Sequence, residues 1–114
     1  MLINIRLFGG RGSSSRNGSF YLPKNPSKYR TFNDITNPKK REYTQYREYK
    51  DLRNGNIYEF HPGRTGENGW RGKNHYHWKN PNRTNNKDYY FDQHGQPTPK
   101  GSNNSHLKPG FYKK

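Results

Sequence analysis

Asn74-His75-Tyr76-His77-Trp78-Lys79-Asn80-Pro81 alternates polar and aromatic residues with a period of two. Successive side chains of a β-strand point to opposite faces. As a strand, this stretch puts Tyr76 and Trp78 on one face and His75, His77 and Lys79 on the other. The aromatic face packs on a core. The other face presents two imidazoles and an ammonium in a row, which suits phosphodiester chemistry or a metal. The plain alternative is a surface strand that happens to carry histidines.

Composition limits what can surround that strand. The chain has 114 residues, enough for one domain. Only 25% of it is hydrophobic, with no alanine, no valine and no cysteine. Ten Tyr, six Phe and two Trp make up the shortfall. Each aromatic ring buries a large area, and Tyr and Trp satisfy a polar tip while doing so. A thin aromatic core with many loops follows. The expected fold is β-rich α+β: a small twisted antiparallel sheet with long basic loops and little helix. Without cysteine there are no disulfides and no thiolate-bound zinc.

Lys and Arg outnumber Asp and Glu 22 to 8, for a net charge of +14. Such an excess attracts a polyanion, strongly at low salt. Nucleic acid is the leading partner, ahead of an anionic membrane or an acidic protein. No apolar run approaches spanning length and no basic amphipathic helix is visible, so a membrane role is not expected.

Along the chain, residues 1–18 read as a short strand (Leu2 to Phe8) followed by a Gly/Ser-rich linker, Gly9 to Gly18, that joins the domain to something upstream in a longer protein. Residues 19–114 read as a single basic domain. Ser19 to Lys40 is irregular, punctuated by Pro23, Pro26 and Pro38. Asn37-Pro38 has the form of a helix start. Tyr43, Tyr46, Tyr49 and Leu52 continue it at three-residue spacing, yet Asn54-Gly55 is a hairpin-turn signal, and strand is favoured for Tyr43–Lys50. Asn56–His61 and Asp88–Asp92 read as strands. Pro62 to Lys73 is a long basic loop with four glycines; loops of that length are often functional. Arg64, Arg71 and Lys73 are candidate phosphate contacts. Trp70 either stacks on a base or plugs the core. The tail from Phe111 is expected to fray.

Tyr58 to Gly63, the Gly-Lys-Asn-His-Tyr-His-Trp run of Gly72–Trp78, Tyr89 to Pro97 and Ser105-His106 together resemble C-terminal toxin domains of bacterial polymorphic toxins and phage structural proteins. Many of these are RNases of the barnase–EndoU–colicin–RelE type, with a helical start before a twisted antiparallel sheet. The resemblance implies a toxin delivered to a target cell, active on RNA in its cytoplasm, and blocked by an acidic immunity protein.

The chemistry stands beside the resemblance. Metal-free RNA cleavage needs a base for the 2′-OH proton, an acid for the 5′-oxygen and cations for the phosphorane charge. Imidazole suits both proton roles. His75 or His77, paired with His106 from a distant segment, supplies them with no cofactor. Lys79, Lys73 or Arg64 stabilises charge, and Ser105 meets a phosphate oxygen. A metal nuclease is the rival, with His75 and His77 joined by His106, His61 or Asp92. A non-catalytic nucleic-acid binder is the third possibility.

Overall fold

The computed structural model describes residues 19–113. The expected Leu2–Phe8 strand and the Gly/Ser linker lie outside them. Among the described residues the fold is β-rich, with two antiparallel sheets, one short α-helix and three single-turn 3-10 helices. In chain order the elements are β1 (Phe20–Leu22), β2 (Phe32–Asp34), α1 (Pro38–Arg41), β3 (Arg47–Asp51), β4 (Ile57–His61), β5 (His75–Lys79), β6 (Tyr90–Phe91), β7 (Pro97–Thr98) and β8 (Gly110–Tyr112). Strands β2 to β7 form a six-stranded meander in which each strand pairs with its neighbour in sequence. β1 and β8 form a separate two-stranded ribbon.

Both sequence signals around residue 40 are real, each over a short span. Asn37 caps α1, its side chain accepting from Lys39 N at 2.9 Å, with Pro38 in the first turn. The helix then stops after one turn. The three-residue aromatic stripe does not continue it: Tyr43 is 75% and Leu52 60% exposed. Alternation wins instead, because Tyr49 and Asp51 point inward from β3 against Tyr58 of β4.

The core is aromatic. Phe20, Leu22, Phe32, Tyr49, Tyr58, Phe60, Tyr76, Trp78 and Leu107 form it. Each such side chain contributes ~1.5–3 kcal/mol on burial, and favourable ring pairs add about 0.5–1.5 kcal/mol. Phe20 of the ribbon lies 5.0 Å from Trp78 and 5.0 Å from Tyr112, so the ribbon covers one face of the meander. Two of the core tyrosines satisfy their polar tips with hydrogen bonds: Asn56 donates to the Tyr58 hydroxyl at 2.9 Å, and the Tyr76 hydroxyl donates to the Pro23 carbonyl. Two expectations are corrected. The Ser19–Lys40 region holds two strands, and the tail pairs as β8 with β1 rather than fraying. Three-residue strands are too short to show a period in sequence.

Candidate functional site: a four-histidine pocket

The opposite face of the meander carries the site. Strand pairing places it before any side-chain contact is considered. His61 lies directly opposite His75, and Glu59 opposite His77. All four therefore share a face, the one turned away from Tyr58, Phe60, Tyr76 and Trp78. A second constraint comes from far along the chain. Leu107 forms an isolated bridge with Tyr76, the two exchanging backbone hydrogen bonds of 2.8 and 2.9 Å. Leu107 is in the core with Tyr76, so its neighbour His106 turns to the histidine face.

The rings meet accordingly. His77 lies 4.6 Å from His61, 5.1 Å from His75 and 4.6 Å from His106, centroid to centroid. His75 lies 5.0 Å from His106 and 5.1 Å from His61. Aromatic rings wall the cluster. Tyr46 stacks on His61 at 3.8 Å, Tyr90 on His77 at 4.5 Å and Trp70 on His106 at 5.0 Å. Together they line a pocket of about 590 Å³, within the ~300–1,000 Å³ range of small-ligand sites. Arg64, Arg71 and Lys100 stand around it. Neither arginine has an acidic partner among the described residues.

Hydrogen bonds set the tautomers. The His75 Nδ1–H donates to the Lys73 carbonyl at 2.9 Å, and the His106 Nδ1–H donates to the Ser102 carbonyl at 2.9 Å. A carbonyl only accepts, so Nε2 of each ring is left as an acceptor. The Glu59 carboxylate takes the His61 Nε2–H at 3.1 Å and the Tyr90 hydroxyl at 2.9 Å. His77 Nδ1 is buried with no hydrogen-bond partner.

Burial dominates the electrostatics. It pushes His77 down to about 3, and the neighbouring imidazoles of His61, His106 and His75 add to this. Burial also lowers His75, against the hydrogen bond to Lys73 that works to raise it. Burial works to raise Glu59, but its bonds from His61 and Tyr90 outweigh this and hold it at about 2. Burial thus favours the neutral ring at His75 and His77, while Glu59 stays ionised.

Sequence reasoning picked out residues of three kinds. His75, His77, His106, Arg64, Trp70 and Arg71 all line the pocket. Trp70 belongs to it rather than to the core, held by its indole N–H on Asn103 Oδ1 at 2.9 Å. Lys73, Lys79 and Ser105 do not line it. Lys73 contributes its carbonyl to His75, while Lys79 is paired with Glu48 at 3.2 Å. Ser105 is 0% exposed with its hydroxyl donating to Ser102 O at 2.7 Å, so it cannot reach a phosphate. Of the residues weighed as further metal ligands, His61 joins the cluster. Asp92 is spent capping a turn, accepting from the backbone N–H of His94 and Gln96. Glu59, Tyr90, Tyr46 and Lys100 went unrecognised. For Glu59 the signal was its two-residue spacing from His61 on one strand; for Lys100 there was none.

Comparison with known protein families, with curated proteins and with solved structures returns no match.

Proposed function

We propose that this domain is a metal-independent endoribonuclease. The observation that carries this is the convergence of His75 and His77, both on β5, with His106 from a distant segment, in one pocket rimmed by cations. His75 and His106 each have Nδ1 pinned to a carbonyl and Nε2 available. One takes the 2′-OH proton as that oxygen attacks phosphorus; the other protonates the departing 5′-oxygen. The product is a 2′,3′-cyclic phosphate. His77, held neutral on the floor, accepts a hydrogen bond from the reacting ribose. Arg64, Arg71 and Lys100 offset the phosphorane charge, and Trp70 stacks on a base.

The test is cleavage of labelled RNA in EDTA by the parent and by His75→Ala, His77→Ala and His106→Ala. The expected loss is about 10²–10⁴-fold for His75 and His106, with cyclic phosphate as product. RNA retained intact by folded parent protein overturns the proposal in favour of a binding module. As the toxic part of a larger delivered protein, the domain acts in the target-cell cytoplasm and meets an acidic immunity protein, whose opposite field speeds association. Unrestrained growth of a bacterial host making the domain at high level counts against that role.

A further inference from the structure

We infer that His61, His75 and His77 form a binding site for a divalent transition metal of the zinc class, and that occupancy of this site blocks RNA cleavage. The second half rests on the nuclease proposal above.

The geometry supplies the donors. One ring nitrogen from each of His61, His75 and His77 lies within 4.8 Å of the others. Tetrahedral zinc, with Zn–N of ~2.0–2.1 Å, spaces its ligand atoms ~3.4 Å apart. The widest separation must close from 4.8 Å to ~3.4 Å, by up to about 1.4 Å. Two of the rings carry the outer partners typical of metal-bound histidine. Glu59 holds His61 through Nε2 at 3.1 Å, and the Lys73 carbonyl holds His75 through Nδ1 at 2.9 Å. The third ring shows an unmet need. His77 is 5% exposed, and its Nδ1 has no hydrogen-bond partner. Buried polar atoms are nearly always satisfied, and a metal ion bound at this nitrogen would satisfy it.

The donor set also selects the ion. Three imidazoles suit zinc, copper or nickel and not magnesium or calcium, which prefer oxygen. Arg64, Arg71 and Lys100 oppose an incoming dication, and Glu59 alone offsets them within the cluster. Inhibition follows from electron counting. An imidazole lone pair donated to a metal is no longer available to a proton. A metal on His75 therefore removes one partner of the acid–base pair, leaving His106 without it.

The full chain, stripped with a chelator and dialysed, is titrated with zinc chloride by calorimetry, with magnesium chloride as control. One zinc per chain and a raised melting temperature are expected, with no magnesium response. Cobalt(II) should give the visible absorption of a low-symmetry nitrogen site, a readout that needs no variant. His61→Ala and His77→Ala should weaken zinc by about tenfold or more; His94→Ala, in an exposed turn, should not. Circular dichroism checks that the variants fold, and if they do not, the cobalt spectrum decides. No stoichiometric zinc, or equal affinity in folded His61→Ala and His77→Ala, overturns the site. Zinc binding that slows cleavage supports both halves. Zinc binding that accelerates cleavage keeps the site and overturns both the inhibition and the metal-free mechanism. Zinc binding with no cleavage in any state keeps the site and overturns the nuclease proposal.

Discussion

His77 and Asp34 show two ways in which a single side chain answers to its surroundings. His77 is enclosed by Tyr90 and three other imidazoles, and burial holds it neutral. Asp34, on the edge strand β2, is exposed and stays ionised. Burial works to raise its carboxyl, but hydrogen bonds from Thr36 and the Arg41 guanidinium outweigh this and hold it below the ordinary 3.8. Its Oδ1 accepts from Thr36 N at 2.9 Å, and Arg41 pairs with Oδ2, tying α1 to β2. A carboxyl depressed on folding stabilises above its unfolded value, and the contribution fades as pH falls through the lower folded value. The stability difference between the parent and Asp34→Asn should therefore be largest near neutrality and shrink as the pH falls through and below the ordinary carboxyl value of 3.8. Urea unfolding at several pH values measures it. A difference that does not change with pH would sink the assignment.

Among the elements, the loop between β4 and β5 does most to shape the pocket. It folds back on itself, with Arg64 N bonded to Arg71 O at 2.8 Å and Gly63 N to Asn74 Oδ1 at 2.7 Å. A Cβ at Gly72 would sit 2.2 Å from the Glu67 carbonyl oxygen, and one at Gly63 would sit 2.7 Å from the Gly72 oxygen. These contacts are backbone, so no side-chain movement relieves them. Gly72→Ala should open the loop, displace the adjacent Trp70 and lower RNA cleavage by about tenfold or more, since small misplacements are costly. Tryptophan fluorescence and the cleavage rate report it; an unchanged spectrum and rate would refute the packing account. The glycines were visible in the sequence as a loop. Their role was not, because close approach of two backbone segments leaves no mark on residue type beyond glycine itself. The two strands flanking this loop were legible. Five-residue alternation in Ile57–His61 and His75–Lys79 sorted each onto a core face and a polar face.

For the whole molecule the dominant quantity is charge. With +14 overall, RNA affinity should fall steeply with salt. Each phosphate contact adds ~0.7 to the slope of log affinity against log salt for a single strand. Replacing Arg64, Arg71 or Lys100 by Ala should each lower that slope by about 0.7. Replacing Lys79, already paired with Glu48, should lower it less. Filter binding across salt concentrations checks this. Equal slopes for Arg71→Ala and the parent would place the RNA elsewhere on the surface.

Residue types and their spacing were enough to establish a strongly cationic, cysteine-free, β-rich domain with an aromatic core. They also established that His75 and His77 share one face. Those properties are local or additive: alternation depends on neighbouring residues, and charge is a sum. Which histidines meet was decided only in three dimensions. His61 reaches His75 through strand register across a long loop, and His106 arrives because Leu107 bridges Tyr76. Register across long loops depends on how the whole core closes. That closure is a cooperative property of Phe20, Tyr58, Tyr76, Trp78 and Leu107 together, and no short stretch of the chain encodes it.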